Sequence, residues 1–146
     1  MATPANSILE IVTAFSRKPR GMKLVVLGRY DPEMSYHKQV MDAASDEVMF
    51  PGAIYDKATV SALRFHSALY AHGHQVGGTN PSLVEAMGAG SAVLAHGNHF
   101  NHQADLTVGA GLPANRSHTS NRPNARMFAA KAAPTNWLTA TISIAG

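Results

Sequence analysis

The chain has 146 residues, no cysteine and a formal net charge of +3, which fits one domain of ordinary size and excludes both disulfides and thiolate metal sites. The charge is uneven: residues 1–105 hold eight Lys/Arg and nine Asp/Glu, whereas residues 106–146 hold four Lys/Arg and no acid. The basic balance therefore comes from the tail and gives little support to nucleic-acid binding. The N-terminus lacks the basic region and apolar stretch of a secretion signal, and no apolar run reaches the ~20 residues that span a bilayer. Those features point to a soluble, cytoplasmic protein.

In chain order, "NSILEIVTAFSR" offers an Asn/Ser cap followed by Ile8, Leu9, Ile11, Val12 and Phe15 at helical spacing. "MKLVVLGRY" reads as a strand buried on both faces and ending at Gly28. A second helix is expected over "MSYHKQVMDAAS", then a short strand and turn in "EVMFPGAIY", then a helix opening at Asp56. "SALYAHG" is the next strand, "NPSLVEAMGAG" a helix closed by glycine, and "SAVLAHG" another strand. Short joints between alternating strands and helices specify an α/β fold, a Rossmann-like parallel sheet with helices on both faces.

The character changes after Gln103. Residues 1–104 form the expected partial Rossmann-like domain; residues 105–146 read as an irregular, loosely packed or disordered tail, with "NARMFAAKAA" the one stretch that suits a short helix. A shifted reading frame or degraded gene end is the origin expected from that composition.

The chemistry concentrates in "HGHQVGGTNPSLVEAMGAG", residues 72–90. Asn80 or Thr79 caps a helix whose first turn takes Pro81, and the free N–H groups of such a helix start stabilise an anion at the C-terminal edge of an open α/β sheet. Gly77 and Gly78 let backbone approach a phosphate, although a paired glycine more often only makes a turn. Glu85, one turn into the helix, accepts from two hydroxyls at once, as a ribose requires. Five of the eight histidines, His72, His74, His96, His99 and His102, have spacings that could serve a metal, but histidines lining a polar pocket are the favoured reading and no metal site is expected. Ser82 is not in a G-x-S-x-G elbow, and "VVLGRYD" lacks a G-x-G-x-x-G turn. Arg17, Lys18, Arg20 and Lys23 read as a solvated loop, with phosphate or membrane-surface contact the less favoured reading.

"NPSLVEAMGAGSAVLAHG" resembles the donor-binding half of the GT-B glycosyltransferases, Glu85, Ala86, Met87, Gly90, Val93 and Ala95 falling on the family's helix motif. The longer string "HGHQVGGTNPSLVEAMGAGSAVLAHGNHFN" is similar to bacterial rhamnosyltransferases of surface-polysaccharide synthesis, and the resemblance covers about residues 4–103. It implies a glycosyltransferase that binds a nucleotide-diphosphate sugar, dTDP-rhamnose being one candidate, for transfer to a surface glycan. Glu85 would hold the ribose, the amides near Ser82, Leu83 and Val84 would face the diphosphate, and backbone around Gly52, Ala53 and Ile54 would meet the base. His74, Gly77, Gly78, Thr79 and Asn80 would lie near the diphosphate or sugar, with His74 the candidate catalytic group. Neither cofactor nor metal is implied, and no nucleic acid; the partners are the sugar donor and a glycan acceptor, with peripheral contact at the inner membrane face in the intact enzyme.

Two departures qualify the resemblance. Many relatives carry a second glutamate eight positions before the ribose-binding one, where this chain has Gly77. The family's acceptor-binding domain and the first strand of its donor-binding domain have no counterpart in these residues. The expected isolated chain is therefore inactive alone, and the competing reading is a non-catalytic nucleotide-binding module or one half of a split enzyme.

Overall fold

A computed structural model describes residues 4–76 and 80–97 in full, and the backbone of three later strands at 116–119, 125–129 and 139–143. A 3-10 turn, Pro4–Asn6, leads into α1 (Ile8–Ser16), followed by β1 (Lys23–Leu27), α2 (Ser35–Asp42), β2 (Val48–Met49), α3 (Lys57–His66), β3 (Leu69–His72), α4 (Pro81–Gly88) and β4 (Val93–His96). These match the sequence expectation in kind and order. β5 (Arg116–Thr119), β6 (Ala125–Ala129) and β7 (Thr139–Ser143) complete the described elements.

The architecture is mixed α/β, compatible with a Rossmann-like fold. One sheet runs β2-β1-β7-β3-β4-β6-β5. The first five strands are mutually parallel, and β6 turns antiparallel against β4. Side chains alternate across the sheet, so β3 feeds two cores, Ala71 entering one and Tyr70 the other. Leu24, Val26 and Ala71 pack with Ile8 and Val12 of α1 and Val40 of α2; Tyr70, Val93 and Ala95 pack with Leu83, Ala86 and Met87 of α4. Leu24, Val25, Val26 and Leu27 of β1 are all buried, as an apolar run covered on both faces requires.

Where a short helix suits residues 124–133, the structure instead has β6, its register set by the pairs Val93↔Phe128 and His96↔Ala125. An edge strand offers a row of unpaired backbone groups, which outweighs the modest helix propensity of a short alanine-rich stretch. β7 is the middle one of the five parallel strands, pairing with β1 over Lys23↔Thr139 to Leu27↔Ser143 and with β3 through Leu69↔Ala140 and Tyr70↔Thr141.

Local chemistry explains the helix ends. Asp56 Oδ2 accepts from the Thr59 amide at 2.8 Å and from Thr59 Oγ1 at 2.6 Å, and these two bonds hold its carboxyl below the usual carboxylate range. Just past its C-cap Ala89, helix α4 is closed by Gly90, whose φ of 75° suits a residue without Cβ. The Gly90 amide donates to Met87 O at 2.9 Å and the Ser91 amide to Ala86 O at 3.1 Å, closing the last carbonyls and aiming the chain into β4. The expected Asn/Ser cap of α1 is not formed: Ser7 makes no side-chain cap bond, and its backbone sits at φ 49°.

Among the described residues no helix is long and apolar enough to cross a membrane.

Candidate functional site

The loops following β1, β2 and β3 leave the same C-terminal edge of the parallel strands, the edge where open α/β sheets take ligands. The loop after β1 is tied to the loop after β2 by a bond from the Gly28 amide to Gly52 O at 3.1 Å. The Arg29 guanidinium stands 6.0 Å from the Tyr55 ring centre, linking the same loops. Gly52 and Ile54 therefore lie on the expected edge, both half-buried.

The loop after β3 is held from the opposite end of the chain. Gln75 donates its amide to Ala5 O at 2.9 Å and its side-chain Nε2 to Ser7 Oγ. His74 Nδ1 meets Asn6 Oδ1 at 2.8 Å. Gly73 fits because it lacks a side chain: a Cβ there would stand 2.0 Å from the Asn6 carbonyl oxygen. Ser7 accepts a left-handed backbone, worth about 1–2 kcal/mol of strain for a non-glycine residue, within this clamp. The sequence carries no local sign of this contact, since residues 5–7 and 73–75 are joined only by the fold.

Gly73→Ala is therefore expected to lower stability by about 1–3 kcal/mol in chemical denaturation, because a backbone carbonyl must shift. Gly88→Ala is the matched control. Its Cβ would meet nothing within 4 Å, so in helix α4 it should be neutral or stabilising by about 0.5–1 kcal/mol.

His72, the last residue of β3, is 5 % exposed, and its Nε2 has no hydrogen-bond partner among the described residues. Its ring stacks near Tyr70 at 6.1 Å, with His74 also at 6.1 Å. Burial, and then the neighbouring His74, push the His72 imidazole down to a pKa of about 4. Near neutral pH it is an uncharged, buried ring at the end of β3.

Asn80 caps α4 and uses up the donors there. Its Oδ1 accepts from the Ser82 amide at 3.0 Å, while its carbonyl accepts from the Leu83 and Val84 amides at 3.1 and 3.3 Å. All three amides assigned by resemblance to a diphosphate thus have an internal acceptor. An anion at this helix start must compete with Asn80 for the Ser82 amide. Ser82 and Leu83 are buried, Val84 half-buried and Glu85 exposed.

Glu85 is not isolated. Its Oε2 accepts from Arg64 Nη1, joining α4 to α3, with side-chain exposures of 61 % for Glu85 and 6 % for Arg64. Arg64 also lies 6.0 Å from the Tyr70 ring, and its carbonyl accepts from Ser67 Oγ at 2.8 Å and Ser91 Oγ at 2.7 Å. Since Ser67 and Ser91 precede β3 and β4, the Arg64 backbone lies toward the opposite, N-terminal edge of the sheet. The sequence pattern does not single out this arginine. Its position three residues before Ser67, the C-cap of α3, marks only a basic residue in a last turn.

Gly77, Gly78 and Thr79, and likewise His99 and His102, lie outside the described residues. Among the described residues no group of three or more His, Cys, Asp or Glu side chains converges as a metal site. The basic cluster also lies at the N-terminal edge. Arg20 donates to Phe15 O and Ala14 O at the end of α1, and Lys23 Nζ to Asp46 O at 3.0 Å. Both are committed to local backbone carbonyls.

No family model matches the chain, and neither a curated protein nor a solved structure does so.

Proposed function

We propose that the chain is the donor-binding part of a GT-B-type glycosyltransferase, taking a nucleotide-diphosphate sugar at the C-terminal edge of its parallel strands. The supporting observation is the unit β3–loop–α4, in which a helix start follows a strand end and the loop's first residues, His74 and Gln75, are pinned by Ala5, Asn6 and Ser7. That placement favours an anion through the helix dipole, with the anion competing with Asn80 for the Ser82 amide. In this reading the loops after β1 and β2, with Gly52 and Ile54, take the base, and Glu85 takes the ribose hydroxyls. Gly77, Gly78, Thr79 and Asn80 flank the diphosphate. His74 donates to the departing diphosphate, so the chain's contribution is orientation and charge stabilisation.

Transfer in this scheme needs an acceptor glycan held on a facing domain. The isolated chain is accordingly expected to bind nucleotide weakly and to transfer no sugar. In the intact enzyme, a cytoplasmic location with contact at the inner membrane face suits a surface-polysaccharide acceptor.

A non-catalytic nucleotide-binding module, or one half of a split enzyme, is the second reading. The internal pairing of the Ser82, Leu83 and Val84 amides with Asn80 weighs on both readings alike, since each needs the nucleotide to bind beside this helix start. Isothermal titration with dTDP and UDP tests the shared premise of nucleotide binding. Radiolabelled sugar transfer by the chain alone and with a co-expressed partner half separates the two readings: a split enzyme regains activity, a non-catalytic module does not.

A further inference from the structure

We infer that Asn6 is a positioning residue for His74, fixing which ring nitrogen carries the proton and so which one meets a ligand. The functional part of this inference rests on the nucleotide-diphosphate reading; the structural part does not. Asn6 Oδ1 and His74 Nδ1 are 2.8 Å apart and 68 residues distant in sequence. An amide oxygen only accepts, so Nδ1 is the donor and carries a proton in the neutral ring. Any contact of this imidazole with a bound molecule is then made through Nε2. In the neutral form Nε2 accepts from a hydroxyl, and in the protonated form it donates to a phosphate oxygen.

Asn6 is itself held against the loop. Its carbonyl oxygen packs on Gly73 where no Cβ fits. The flanking residues Ala5 and Ser7 both accept from Gln75. Three consecutive residues of the N-terminal turn thus engage three consecutive loop residues, a two-sided registration that fixes the imidazole more firmly than one hydrogen bond on a loop would. His72, its ring centre 6.1 Å away, is a titratable neighbour of His74.

The test is nitrogen-15 NMR of the histidine rings in the full chain, in mildly alkaline buffer where an ordinary imidazole is neutral, with His74→Gln assigning the resonance. The expected wild-type signal is the Nδ1-protonated tautomer, lost in Asn6→Leu and kept in Asn6→Asp, which retains the acceptor. An Nε2-protonated ring in the wild type, or a tautomer unchanged by Asn6→Leu, overturns the inference. In parallel, Asn6→Leu should weaken dTDP or UDP binding roughly three- to tenfold. An unchanged affinity overturns the ligand contact through Nε2. If the tautomer behaves as expected and the wild type binds neither nucleotide, the positioning stands and the donor-binding reading falls.

Discussion

Thr141→Pro is expected to abolish cooperative unfolding of the chain or to lower its thermal midpoint severely. Thr141 stands on an interior strand of the sheet, opposite Val25 of β1 on one side and Tyr70 of β3 on the other. Proline removes a donor from this ladder and its ring clashes with the neighbouring backbone, which costs about 3 kcal/mol or more in a regular element. That is a large share of the roughly 5–15 kcal/mol by which domains of this size are stable. The loss is not confined to β7, because β1 and β3 would each become an edge between two well-buried half-cores. Ser117→Pro in β5, the outermost strand, should cost far less. Differential scanning calorimetry of both variants checks the contrast; equal, small effects would mean that residues 139–143 do not hold the sheet together.

The second large effect is on acid stability. His72 is neutral in the folded chain, with its pKa pushed down to about 4 by burial and by His74, while an unfolded histidine titrates near 6.5. Between these values the unfolded chain binds the extra proton. Stability from this residue is therefore intact above pH ~6.5 and falls as pH drops toward about 4, by roughly 3 kcal/mol in all. His72→Phe keeps a flat ring against Tyr70 and removes the titration, so urea-denaturation midpoints measured across this window should show a flattened acid limb. The same slope in both proteins would show that His72 is not the buried neutral group described.

The alternating core is legible in the sequence because each element carries its own signature. "LVVL" is apolar without alternation, and Asp56 and Asn80 each stand immediately before a helix and make the expected cap bond. The Schellman-type ending at Gly90 likewise needs only local residues. β7 escapes such a reading because "TATIS" is small and half polar, unlike the apolar run of a central parallel strand, and because its partner β1 lies more than a hundred residues away. Its β-branched Thr139, Thr141 and Ile142 are the available sign.

The candidate site divides the same way. The helix start and its cap follow from "NPS", but three further features depend on the folded chain. Arg64 reaches Glu85 across two helices, Asn6 reaches His74 from the N-terminus, and Asn80 satisfies the amides that sequence pattern alone leaves open to an anion.

The most direct measurement is calorimetric titration of dTDP and UDP into the full chain and into Glu85→Ala and Arg64→Met. Glu85 cannot be judged alone, since its carboxylate both serves the proposed ribose contact and pairs with Arg64. If Glu85 holds ribose, one nucleotide binds the wild type, Glu85→Ala weakens it roughly ten- to hundredfold, as expected for a lost charge-assisted hydrogen bond, and Arg64→Met leaves binding largely intact. Absence of binding by either nucleotide, or equal losses in the two variants, would contradict a ribose-binding role and leave Glu85 as a clasp between α3 and α4.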